Sequence, residues 1–152
     1  MKIKNEMRID FPASPKNEAL ARMVISAFVL PLNPTIEQLA DVKTAVSEAV
    51  TNAIVHGYPE GGGSVRLKAV LYEDDTLLVD ICDTGIGIED VERARTPFFT
   101  TAESDERSGM GFTVMESFMD SVSVKSKPGQ GTTVRLTKRL QAPETYPSAR
   151  RA

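Results

Sequence analysis

The chain has 152 residues, enough for one domain with a substantial core, and its 41% hydrophobic and 26% charged content is ordinary for a globular protein. A formal net charge of −3 argues against a broad electrostatic grip on nucleic acid. The single cysteine, Cys82, excludes an internal disulfide, no Cys/His cluster offers a zinc site, and no apolar run approaches the roughly 18 residues that span a bilayer.

Met7, Ile9 and Phe11 alternate with charged residues, which predicts a half-exposed first strand. Ser14-Pro15 reads as an N-cap and first-turn proline, opening a helix through Phe28. Asn33-Pro34 repeats that signal before a second helix, which carries Ile36, Leu39, Val46, Val50, Ala53 and Ile54 at helical spacing and stops at Gly57. Gly61-Gly62-Gly63 turns the chain into strand-like runs from Ser64 to Tyr72 and from Thr76 to Cys82, joined at Asp74-Asp75 as a hairpin. A glycine-punctuated turn, Asp83 to Gly87, precedes a short helix near Ile88 to Ala94. Thr100 to Ser108 is polar without apolar period and reads as a loop. Gly109 to Met119 reads as a helix with Phe112, Met115, Phe118 and Met119 inward. Val122 and Val124, a Pro128-Gly129 turn, and Val134 and Leu136 make a last hairpin. One domain over residues 1–140 and a disordered tail over 141–152 are expected. The first residues, Met1 to Glu6, lack the apolar stretch of a signal peptide, so a cytoplasmic location is expected.

Three segments have residues suited to chemistry. Glu48, Asn52 and His56 stand four apart on the second helix, and each such step advances about 40° beyond a full turn, so they share one stripe beside the apolar one. An Asn oxygen suits Mg²⁺, which keeps several waters and takes phosphate oxygens for the rest. A Glu one turn away can accept a proton from an attacking hydroxyl. A solvated helix face with polar residues in arbitrary order has the same spacing. Asp83-Thr84-Gly85-Ile86-Gly87 follows a strand directly. Its two glycines permit positive φ and close approach to a flat ligand, and an ionised Asp recognises an exocyclic amino group such as that of adenine. A plain Asp-Gly turn remains open for this segment. Ser108-Gly109-Met110-Gly111-Phe112 enters a helix with small residues whose free N–H groups suit an anion, or it simply turns the chain. It is neither a Walker A loop nor a dinucleotide fingerprint. Gly131-Thr132-Thr133 opens the last strand, where threonine is also a common β-former. His56 could equally cap its helix.

In this order the segments resemble the GHKL ATPase and kinase superfamily, and within it the anti-sigma factor serine kinases of the sporulation type. The resemblance covers roughly residues 5 to 138. Glu48 to Tyr58 looks like the family's N box, Asp83 to Gly87 its first glycine box, and Pro97-Phe98-Phe99-Thr100-Thr101 the approach to its lid. Glu106 to Phe112 matches the second glycine box and Gly131-Thr132-Thr133 the third.

The resemblance implies an α/β (α+β) two-layer sandwich: a mixed, largely antiparallel sheet with helices on one face and ATP or ADP held between helices and lid. It implies that Asn52 coordinates Mg²⁺, that Glu48 is the catalytic base, and that Asp83 binds the adenine amino group. Gly109 and Gly111 would close over the phosphates and Thr132 would support the adenine end. His56, Gly85, Gly87, Thr100, Thr101, Ser108 and Met110 complete the expected nucleotide contacts. Arg107 would assist phosphoryl transfer, and Arg22 and Arg107 match positions that contact protein partners. The implied activity is transfer of the ATP γ-phosphoryl group to a serine of an anti-anti-sigma protein. The implied complex is a nucleotide-bound homodimer that sequesters a sigma factor of the sigma F type, without direct contact to nucleic acid or membrane. Two readings compete: a stress-response anti-sigma kinase of the same family, and a nucleotide-dependent sigma-binding module without phosphoryl transfer. The ATP domain of a sensor histidine kinase is a third, and it needs an upstream phosphoacceptor helical hairpin, for which no room is expected in this chain.

Overall fold

The computed structural model describes residues 1–95 and 111–140. Its five strands form one sheet in the order β1-β2-β3-β5-β4, comprising β1 (Ile3–Pro12), β2 (Ser64–Tyr72), β3 (Thr76–Asp83), β4 (Ser121–Lys127) and β5 (Gly131–Arg139). All four neighbour pairings are antiparallel, so the sheet lies at the antiparallel end of the expected range and no parallel pair mixes into it. The helices α1 (Asn17–Val29), α2 (Ile36–Asn52), α3 (Val91–Ala94) and α4 (Gly111–Phe118), with a 3-10 turn at Leu30–Leu32 and a π-helical turn at Ala53–Gly57, complete the described elements.

Two-residue alternation decides which sheet face is covered. Phe11, Val65, Leu67, Ala69, Leu71, Leu77, Val79, Ile81, Val134 and Leu136 are buried and stand on one face in register. Against them α1 packs Ala21, Ile25, Phe28 and Val29, and α2 packs Val42, Ala45, Val46, Ala49 and Val50. Both sets follow the three- and four-residue spacing of a helical stripe. Each fully buried Ile, Leu or Val contributes roughly 1.5–3 kcal/mol over exposure, so this single interface supplies most of the driving force. Phe112 and Met115 bring α4 into the same core, and Lys138 donates to the Phe118 carbonyl at 2.7 Å while lying 3.7 Å from Asp41 of α2. The opposite face is polar: Arg66 donates to Asp10 at 2.8 Å, and Arg135 donates through Nε and Nη2 to the two oxygens of Asp80, each at 2.8 Å.

Several local expectations change. Helix α1 starts at Asn17, with no side-chain cap, because Ser14 to Lys16 form a turn in which the Asn17 amide donates to the Ser14 carbonyl at 2.9 Å. The cap of α2 is Thr35 rather than Asn33. Thr35 Oγ1 accepts from the Gln38 amide at 3.0 Å, and Gln38 Oε1 accepts from the Thr35 amide at 2.9 Å, a reciprocal capping box. Asn33 instead takes the left-handed conformation that ends the preceding turn. Ile36 is 90% exposed, since it stands in the first turn of α2, ahead of the contact with α1 and the sheet. Phe118 is half-buried. The short helix occupies only Val91–Ala94, and Asp90 caps it by accepting from the Arg93 amide at 3.0 Å. The expected loop from Thr100 to Ser108 and the expected tail lie outside the described residues. Among the described residues no helix is long and apolar enough to cross a membrane.

Candidate functional site

The stripe on α2 arrives at the site through a change of helical pitch. After Asn52 the chain continues as a π-helical turn, Ala53–Gly57, where an α-helix ending at Gly57 was expected. Such turns are rare and cluster at functional sites. A four-residue α-helical step overshoots a full turn by about 40°, and the wider i→i+5 turn offsets that drift. Glu48, Asn52 and His56 therefore all line one cleft of about 470 Å³. The other wall includes Asp83 and Thr132 with Ile81 and Val134 of the central strands. Ile86, Gly87 and Ile88 from the turn, Ala94 of α3, and Gly111 and Phe112 of α4 complete much of the lining. Apolar and glycine residues make up most of the lining, with Glu89, Asp90 and Arg93 adding to the polar groups already named, a mixture that suits a small polar organic ligand.

Asp83 sits at the end of β3 and is only 8% exposed. Burial pushes its carboxyl above the usual carboxylate range, while backbone hydrogen bonds from Gly85 and Thr132 pull in the other direction. Its Oδ1 accepts from the Gly85 amide at 3.0 Å. The carboxylate rests on Gly57, where a Cβ would come within 2.9 Å of its carboxyl carbon. The turn itself is pressed onto the same residue, since the Ile86 amide donates to the Gly57 carbonyl at 3.0 Å and a Cβ on Gly85 would stand 1.8 Å from that oxygen. The expected role of the two glycines changes accordingly. Gly87 does take a positive φ of 77°, but Gly85 does not, and its missing side chain makes room for protein backbone rather than for a ligand.

At the far end of the turn, Ser126 Oγ accepts from the Ile88 amide at 2.7 Å and donates to the Gly131 carbonyl at 2.9 Å. With its one proton so used, Ser126 accepts from the Thr132 hydroxyl at 2.8 Å. Thr132 is thus held in place by a residue that no motif marks. The signal was the period of β4: Val122 and Val124 face the helices, and Ser126 is a small polar residue where a third apolar one is due. Tyr58, just past the π turn, is the other omission from the expected site and ties the turn down through its hydroxyl.

Glu48, Asn52, His56, Asp83, Gly87, Gly111 and Thr132 are brought together as expected, and Gly85 stands just behind them. The Asn52 amide lies against Gly111, whose Cβ would come 2.9 Å from Nδ2. Arg22 is elsewhere, on α1. Its Nε is 2.8 Å from Glu18 Oε1 but its N–H is not aimed at that oxygen, so the contact is an ion pair rather than a hydrogen bond. Glu18 also accepts from the Ser47 hydroxyl of α2. Thr100, Thr101, Arg107, Ser108, Gly109 and Met110 lie outside the described residues.

Among the described residues no group of three or more His, Cys, Asp or Glu side chains could hold a metal ion by itself. The donors at hand, one amide and one carboxylate a helical turn apart, fit a hard cation that arrives with phosphate oxygens and waters as its remaining ligands.

Residues 11–138 match the family described as the histidine kinase-like ATPase domain. The chain is 51% identical over 138 residues to the anti-sigma F factor of Bacillus subtilis, covering 91% of this chain and 94% of that protein. It is 50% identical over 138 residues to the anti-sigma F factor of Thermoanaerobacter pseudethanolicus, covering 91% and 96%. Among solved structures, the RsbU and RsbW domains from Mycobacterium tuberculosis align with a TM-score of 0.69 at 21% identity, covering 94% of this chain and 34% of that one. The SiaB-SiaC complex from Pseudomonas aeruginosa aligns at 0.57 with 14% identity, covering 86% and 88%. These two likenesses show the fold. By this family match and the roughly 50% identity to anti-sigma F factors over most of its length, the chain belongs to the anti-sigma F factor family of histidine kinase-like ATPase domains.

Proposed function

We propose that this protein binds Mg-ATP in the cleft, sequesters a sigma factor of the sigma F type, and phosphorylates a serine of an anti-anti-sigma antagonist. The observation that carries the proposal is the convergence of Glu48, Asn52 and His56 from one helix onto Asp83 and Thr132 from the sheet. The names of the relatives supply the partner class.

In this reading Asp83, backed by Gly57 and Gly85, accepts a hydrogen bond from the adenine amino group, and Thr132 supports that end of the base. The apolar walls, Ile81, Ile86 and Val134 among them, cover the faces of the ring. Asn52 and Gly111 lie where the phosphates pass, with Asn52 contributing a ligand to Mg²⁺; the ion, when bound, neutralises phosphate charge. Glu48 takes the proton from the attacking serine hydroxyl as the serine Oγ–phosphorus bond forms and the bond to the β,γ-bridging oxygen breaks, leaving ADP and phosphoserine. Arg107 assists that transfer. Arg22, paired with Glu18 on α1, and the exposed apolar Leu20 and Met23 of the same helix support a protein-docking role for α1, in a homodimer that holds the sigma factor.

The test mixes the purified protein with sigma F-type and anti-anti-sigma partners and Mg-ATP. It reads sigma complex formation and a phosphate mass shift on the antagonist in the same samples. Glu48→Gln should keep nucleotide and sigma binding while losing roughly 10²-fold or more in phosphorylation rate. Undiminished phosphorylation by that variant removes Glu48 as base. Complex formation without any mass shift in the wild type leaves a binding module in place of the kinase.

A further inference from the structure

We infer that Tyr58 is a positioning residue for Asp83, and that its hydroxyl governs how sharply the cleft distinguishes a purine with an exocyclic amino group from one without. The inference deepens the adenine-nucleotide reading above and rests on it.

Tyr58 follows the π turn directly and is not part of the cleft lining. Its hydroxyl oxygen accepts from the Thr84 amide at 2.8 Å and donates to the Ser64 carbonyl at 2.7 Å. Its single proton being spent on Ser64, the Thr84 hydroxyl at 3.2 Å donates to it. One phenol oxygen therefore joins the end of the N-box helix, the start of β2 and the residue immediately after Asp83, using its full hydrogen-bonding capacity. The ring is fixed from below by Gly63, whose φ is 83° and whose Cβ, if present, would stand 2.3 Å from a ring carbon.

The second tie to the same turn comes from the preceding residue, through the Gly57 carbonyl and the Ile86 amide. Residues 57 and 58 thus hold the turn at Ile86 and at Thr84, on either side of Gly85. The Gly85 amide in turn fixes Asp83 Oδ1. The direction of the Asp83 carboxylate depends on where Thr84 and Gly85 lie, and Tyr58 sets one end of that short lever.

All three contacts of the hydroxyl lie in exposed surroundings, so water can satisfy the Thr84 amide and the Ser64 carbonyl when the phenol oxygen is removed. What is lost is placement, not a buried hydrogen bond. A hydrogen bond weakens as its distance lengthens and steeply once its angle falls below about 120°, so the loss falls on the base contact proposed for Asp83.

The experiment titrates ATP and inosine triphosphate, which has a carbonyl in place of the amino group, into the full chain with Mg²⁺. The proteins compared are wild type, Tyr58→Phe, Gly63→Ala and Asp83→Asn. The wild type should prefer ATP. Tyr58→Phe should bind ATP roughly fivefold to tenfold more weakly with little change for inosine triphosphate, and with a thermal midpoint close to wild type. Gly63→Ala, which pushes the ring from the other side, should narrow the same ratio by another route, so a folding failure in one variant does not remove the test. Asp83→Asn should collapse the preference. An ATP-to-inosine ratio that stays at the wild-type value in Tyr58→Phe or Gly63→Ala, whether both affinities hold or fall together, overturns the assignment. A folded wild type that binds neither nucleotide overturns the adenine reading itself, and this inference falls with it.

Discussion

The carboxylate of Asp83 rests directly on the α-carbon of Gly57, with no space between them for a methyl group. The end of the N-box helix and the end of β3 are thereby locked together at the point where a base would be read. Gly57→Ala would force the carboxyl group aside, since the added Cβ would stand 2.9–3.1 Å from its three terminal atoms. Overpacking of this kind costs typically about 1–3 kcal/mol. The variant should lose at least tenfold in ATP affinity with a modest drop in thermal midpoint, measured by nucleotide titration beside a melt; unchanged affinity would show that the contact is only packing.

Asp83 gives a pH dependence of defined sign. Burial holds its carboxyl above the usual range. The folded state therefore keeps the proton to higher pH than the unfolded chain does, and stability falls as pH rises between the two values. The contribution is whole below the ordinary carboxylate range and lost once pH has climbed through the folded value. Asp83→Asn, neutral throughout, should melt above wild type at neutral pH, and the advantage should disappear near about pH 3–4. Melting curves across pH check this. The same variant should bind ATP poorly, because the proposed contact with the base loses its carboxylate.

On the opposite face of the sheet, Asp80 is 8% exposed and is paired at both oxygens with Arg135. Removing the guanidinium leaves a nearly buried carboxylate with its main partner gone. Because Arg135 itself is half-exposed, solvent moderates the effect, and Arg135→Ala should cost about 1–2 kcal/mol in denaturant unfolding. ATP affinity should not change, since neither residue lines the cleft.

Thr35 carries half of the capping box that starts α2. Thr35→Ala should destabilise the fold by about 1 kcal/mol, whereas Asn33→Ala, at the position first expected to cap, should lack that signature of a lost cap. A chemical-denaturation series on the two variants separates them.

Much of the architecture was legible along the chain because it follows from repeats that need no partner. Alternation in β1, β2 and β5 and the helical stripes of α1 and α2 mark the covered faces. The glycines and the Asp83 turn mark chain reversals. Some of the site was legible for the same reason: Glu48, Asn52 and His56 are spaced by the helix itself. The exposure of Ile36 was not legible, because periodicity reports a stripe without saying how far along it the neighbours extend.

The sequence by itself determined the elements, their apolar faces and the three segments carrying polar groups, since backbone period and side-chain chemistry are local properties. Tertiary structure alone decided that His56 reaches the cleft through a π turn, that Gly85 yields space to Gly57 rather than to a ligand, and that Tyr58 and Ser126 anchor the two ends of the turn after Asp83. Those are contacts between residues 26 to 38 positions apart in sequence at Tyr58–Thr84 and Ile88–Ser126, and no local pattern encodes which distant backbone will press against a given residue.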